Sequence, residues 1–214
     1  MKKVILSMAL VCISMALFAQ NSKFELAMKK HINSMDTAQS IESYRVIANS
    51  FERMATAETK EWLPDYYVAF CYIIIANMEK SNDKVDDDCD KADGFLDKAE
   101  LISKDNSEIY SLKSWSASSR IRVNPMMRGQ KYGSVSAEYN QKAMKFDPTN
   151  PRPYYLSGMG KFYTPSAFGG GKDKAQPLFE EAIKRYKVFK PANSIMPTWG
   201  QKKAEEMLAE CKKP

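Results

Sequence analysis

His31 is the only histidine among 214 residues. A histidine-based catalytic triad or a multi-histidine metal site therefore cannot be assembled within one chain, and His31 reads as a surface or partly packed side chain. The acidic run from Asp83 to Asp90 offers alternate carboxylates of the kind that converge on a hard cation. Its spacing fails that test, because Lys91 stands where the calcium loop needs glycine and Asp97 replaces the bidentate glutamate. The run reads instead as a helix start whose negative charge opposes the helix dipole. Gly169, Gly170, Gly171 and Lys172 have the composition of a phosphate loop. However, Asp173 occupies the magnesium-holding hydroxyl position and Ser166 the first glycine position, so the segment reads as a turn before a helix. Carboxylates for glycoside hydrolysis are abundant, but no spacing selects a pair. The sequence thus indicates no enzyme, no catalytic residue, no metal site and no cofactor.

The first residues have a different task. Lys2 and Lys3 precede an apolar stretch from Val4 to Phe18, and Ala19 and Gln20 follow as a cut site. Residues 1–19 read as a signal peptide although Leu17 is large for its place before the cut, and residues 20–214 as a single domain that is periplasmic or secreted. Cys12 lacks the small residue before it that lipidation requires. Removing the leader leaves 30 basic and 26 acidic side chains, a net charge of +4. Basic residues alternate with acids along the chain, without the clustered stripe and stacking aromatics of a nucleic-acid groove. Cys71, Cys89 and Cys211 remain, and an odd number cannot pair completely within one chain. Cys71 reads as a small buried residue.

The positioning elements emerge when the chain is compared with itself. Four stretches carry small residues seven apart: Ala48 and Ala55, Ala92 and Ala99, Ser136 and Ala143, Ala175 and Ala182. Their offsets are 44, 44 and 39 residues. Small residues at this spacing share one helix face and let a neighbouring helix approach closely. Periodicity and breakers predict helices over 22–33, 37–57, 62–80, 87–104, 107–121, 132–146, 151–163, 172–188 and 197–212. The fold class is all-α.

Ala175, Phe179 and Ala182 resemble the small, aromatic and small positions of the second helix of a tetratricopeptide repeat (TPR). Ala143 followed by Pro148, with Tyr154 and Gly158 in the next helix, resembles the passage from one TPR unit to the next. Ser114 and Phe70 take the place of Gly158 in earlier copies, and Leu96 that of Phe179. The resemblance implies a TPR-like α-solenoid of about four helical hairpins with a C-terminal capping helix, Trp199 covering the apolar end of the stack. A standard unit has ~34 residues, so the longer offsets imply insertions. These fall at Ser81 to Asp86, Ile121 to Lys131 and Thr164 to Gly171, expected as loops projecting from one edge.

In TPR-like arrays the first helix of each hairpin lines a concave face. By that resemblance the partner-binding positions are Tyr67, Trp115, Arg152, Tyr155 and Met159, with Ser111 between them. Aromatic, methionine and arginine side chains of this kind are enriched at protein-binding hot spots. The expected function is an exported scaffold that binds a polypeptide partner in the cell envelope. The alternative is a small-ligand-binding component of a solute uptake system, which would need a mostly apolar pocket with few polar groups.

Overall fold

The computed structural model describes residues 22–213, and the expected signal peptide lies outside them. The described residues form helices and no strands. A first helix, α1, runs over 22–35. It is followed by α2 (Ile41–Ala57), α3 (Trp62–Met78), α4 (Asn82–Ile102), α5 (Ser107–Ser119), α6 (Pro125–Phe146), α7 (Arg152–Tyr163), α8 (Lys172–Tyr186) and α9 (Gln201–Cys211). Short 3-10 turns occupy Arg120–Val123 and Ser166–Phe168. Helix α3 packs on α4, α5 on α6 and α7 on α8, while α3, α5 and α7 also touch in succession. The chain is therefore a row of antiparallel hairpins whose first helices share one face. α2 packs against α3 at one end, and α9 against α8 at the other.

The small-residue pattern explains the close packing. Ala48, Ala92, Ala99, Ala143, Ala175 and Ala182 are all completely buried. Gly158 is required for a specific reason: a Cβ there would lie 2.7 Å from the Phe179 ring, which is itself fully buried. In the preceding hairpin Ser114 meets Ser136 by a hydroxyl contact of 2.9 Å instead.

Two of the three expected projecting loops are helical. α4 begins at Asn82, not at 87, and α6 at Pro125, not at 132. The Asn124 side chain accepts the Met127 amide, and Pro125 occupies the first turn, where its missing N–H costs nothing. The added turns are then bolted to the neighbouring hairpin. Arg122 donates to the carbonyls of Ala76 and Glu79 at the end of α3, Asn82 donates to Val123 O, and Arg128 pairs with Asp86 at 2.8 Å. Insertion here lengthens helices because side chains from the next hairpin satisfy their ends. Only Thr164–Gly171 stays outside the α-helices, a turn that carries the 3-10 segment Ser166–Phe168.

The last helix also differs from expectation. Gly200 adopts φ +106°, and a Cβ on it would collide with the Tyr186 hydroxyl. Helix α9 starts after it, leaving 187–200 as an irregular strap that includes Pro197 and Trp199.

Replacing Gly158 by Ala should destabilise the protein by about 1–3 kcal/mol, as overpacking does, despite alanine's better helix propensity. Denaturant unfolding with unchanged slope and a lower midpoint is the expected reading. A raised midpoint would show that Phe179 can yield.

Candidate functional site

The shared face of α3, α5 and α7 carries all of the positions expected to bind a partner. Tyr67, Ser111, Arg152 and Tyr155 are buried, and Trp115 and Met159 are half-buried. What the sequence suggested as an open concave surface is filled by the chain's own strap. Tyr67 Oη donates to Ile195 O at 2.8 Å. Trp199 inserts between Phe70, Trp115 and Tyr155, with ring centroids 5.6, 5.2 and 6.3 Å away. Its indole N–H donates to Tyr66 Oη at 2.8 Å. Trp199 thus belongs to the inner face and does not cover the end of the stack. Serine 194 fastens the strap on its far side by donating to Glu25 of α1 at 2.5 Å.

Arg152 holds this arrangement together. Its side chain has no exposure, and Nη1 meets Glu108 Oε1 at 2.7 Å. Nη2 donates to Pro197 O, while the guanidinium lies over the rings of Phe189 and Trp199 at 5.0 and 5.3 Å. Asn150 reaches Glu108 Oε1 at 3.1 Å and Ser107 Oγ at 3.0 Å, so the Glu108 carboxylate is met from several sides. Burial raises the Glu108 pKa, against the pull of Arg152 and the Tyr66 hydroxyl. Burial also lifts Tyr66 well above the ordinary phenol range, with Glu108 adding to it, so the phenol remains a donor. Arg152 is therefore an internal clamp joining α5, α7 and the strap.

Beside the strap lies a cleft of about 530 Å³. Ile32 and Met35 line it from α1, Asp36 from the turn after it, Tyr44 from α2, and Tyr67 and Phe70 from α3; Thr198 to Lys202 and Glu205 close the other side. Its volume falls within the range of small-molecule sites, ~300–1,000 Å³. Ile32, Met35, Tyr44, Tyr67 and Phe70 make one wall apolar and aromatic, whereas the opposite wall adds Thr198, Gln201, Lys202 and Glu205 to the Trp199 ring, with Asp36 the one acid on the first side. Behind Met35, the buried Cys71 thiol sits 3.9 Å from its sulfur. Burial pushes the Cys71 pKa far up, so it offers no thiolate. Tyr44 is also raised, by burial first and then by Cys71 and Asp36.

His31 does not line the cleft; its ring packs edge-on to Phe51 at 5.8 Å. Burial, Lys30 and Arg53 lower its pKa. Among the described residues no group of three or more His, Cys, Asp or Glu side chains could hold a metal ion. The cleft's sulfur and phenol groups are the Met35 thioether and the Tyr44 and Tyr67 hydroxyls, and Tyr67 is engaged by the strap. A second hollow, about 440 Å³, is lined by Asp97, Glu100, Leu101, Lys104 and Asp105. Lys113 ties two of its acids, at 2.7 Å from Asp97 and 2.5 Å from Glu100.

Sequence reasoning reached Tyr67 and named Trp199 for another role, but missed Ile32, Met35, Tyr44 and Phe70 as cleft residues. The first three precede the best repeat copies, and their apolar spacing gives only the ordinary signal of a packed helix.

The structure is similar to that of the HusA haemophore from Porphyromonas gingivalis. The TM-score is 0.79 with 37% sequence identity, and the match covers 86% of this chain and 90% of that one. The chain belongs to the HusA family. No family model matches the sequence, and no relative was found among curated proteins. No described helix of this HusA-family chain is long and apolar enough to cross a membrane.

Replacing Arg152 by Met alone should cost about 3–5 kcal/mol, because Glu108 is left as a buried charge without its partner. Adding Glu108→Leu should recover most of the loss in a double-mutant cycle. Additive losses in denaturant unfolding would remove the pair from its clamping role.

Proposed function

We propose that this chain is an exported binding protein for a tetrapyrrole of the haem type, which it carries toward an uptake system. The observation that carries the reading is the 37% identity to a haemophore over most of both chains. The aromatic cleft supplies the chemistry. Tyr44, Phe70 and Trp199 offer flat apolar surface to a macrocycle, and Lys202 at the rim suits a carboxylate on its edge. Recognition would rest on apolar contact with the ring more than on iron, since no histidine or thiolate faces the cleft. A metal-free porphyrin should therefore bind as well as haem. Binding is the proposed activity, and no catalysis is assigned.

Several finer readings support this role without being needed for it. Residues 1–19 would be the leader, 20–214 one TPR-like domain, and the compartment periplasmic or extracellular. The polypeptide-scaffold reading ranks second, because Tyr67, Trp115, Arg152 and Tyr155 are turned toward the chain's own strap and core. Met159 remains half-buried beside them.

Titration with haem and with metal-free protoporphyrin should quench tryptophan fluorescence, since Trp199 lines the cleft. Phe70→Ala and Tyr44→Ala should each weaken both ligands about tenfold, roughly 1.4 kcal/mol of lost contact, with helical circular dichroism retained. If neither ligand quenches, or if both variants bind as the parent does, the cleft is not the site.

A further inference from the structure

The net charge of the molecule conceals a strong asymmetry. Residues 79–108 contain 11 acidic and 5 basic side chains, whereas 161–213 contain 6 acidic and 11 basic ones. The alternation of signs noted along the whole chain therefore fails within these segments. Much of the acidic segment is answered by arginine and lysine of the next hairpin. Arg120 meets Asp90 and Asp93 at 2.9 and 2.5 Å, and Lys113 meets Asp97 and Glu100. In the C-terminal segment Arg185 pairs with Glu181, Lys203 with Glu206 and Lys213 with Glu210, and its eleven basic side chains still outnumber its six acids by five.

Part of that excess converges at one end of α7, α8 and α9. Lys161 Nζ donates to Gly169 O at 3.1 Å, and Lys172 Nζ donates to Lys213 O at 2.8 Å. These bonds place Lys161, Lys172, Lys212 and Lys213 around the 164–171 turn, with Asp173 and Glu210 the acids beside them. Two large rings project here, Tyr163 from the last residue of α7 and Phe168 from the turn; they are 69% and 74% exposed. The turn is built. Phe168 N and Gly170 N both donate to Pro165 O, and Gly171 N donates to Lys161 O. A Cβ on Gly170 would collide with the Thr164 backbone. The rings are thus held outward by satisfied backbone.

We infer that this lysine-flanked aromatic turn docks the protein on an anionic bilayer surface, Tyr163 and Phe168 entering the headgroup layer and the lysines facing lipid phosphates. The argument is charge complementarity combined with geometry. Aromatic rings favour the membrane–water boundary, and lysines close to an anionic leaflet are attracted within a Debye length. A turn tip can enter a soft headgroup layer without a pre-shaped partner pocket. The surface lies outside the cleft, so it stands or falls independently of tetrapyrrole binding.

Sedimentation with phosphatidylcholine vesicles, and with vesicles that also contain phosphatidylglycerol, tests the inference. The chain without residues 1–19 should bind only the mixed vesicles and dissociate as salt is raised. The double variant Tyr163→Ser, Phe168→Ser should bind them about tenfold more weakly, and Lys161→Gln or Lys212→Gln about fivefold more weakly each. All of these positions are exposed, and retained helical dichroism and porphyrin quenching would mark the variants as folded. Equal binding to neutral vesicles, no binding to either kind, or parent-like binding by the double aromatic variant overturns the proposal. Binding to soluble polyglutamate with no vesicle association also overturns it, in favour of an acidic protein partner.

Discussion

A guanidinium removed from water must be met by an opposing charge and by acceptors in the right places. Arg152 is met at its two terminal nitrogens from three directions: Glu108 on α5, Asn150 just before α7, and the Pro197 carbonyl on the strap. Each partner belongs to a different part of the chain. The pair therefore does more than join two helices. It sets where the strap crosses the hairpins, and through Trp199 it sets one wall of the cleft. Tyr66 extends the same network, meeting both Glu108 and the Trp199 indole.

This constraint changes what the inner face of the stack can do. An open superhelical groove would offer aromatic rings to an extended polypeptide, but here residues 187–200 already lie in that place. Tyr67 hydrogen-bonds to Ile195, and Trp199 packs at tilted and edge-on angles among the rings of Phe70, Trp115 and Tyr155. What remains accessible is the gap between this strap and helices α1 and α2. Its small volume, with one aromatic wall and one mostly polar wall, suits a compact ligand better than a chain.

Length in this fold was absorbed by helix extension more than by loops. The insertion before α6 became two further turns because Asn124 and Pro125 form a competent start and Arg128 finds Asp86. The insertion before α4 likewise became helical, its first turn tied to Val123 through Asn82. The third insertion contains Pro165 and three consecutive glycines, two of which adopt positive φ. Such a sequence cannot continue a helix and forms a compact turn instead.

The amino-acid sequence by itself determined the all-helical class and most helix limits, because these depend on local periodicity, caps and breakers. It also determined the close hairpin packing: alanines seven apart and Gly158 opposite Phe179 are legible as a pattern, since small residues at fixed spacing permit only one approach. The tertiary structure alone decided the site. Arg152 read as a partner-binding position because nothing local announces Glu108, 44 residues away, and Trp199 read as an end cap because its neighbours come from α3, α5 and α7. The cleft combines α1, α2, α3 and the strap, elements distant in sequence, and contacts between them leave no periodic trace. Periodicity reports which face of a helix is buried, but not which other segment buries it.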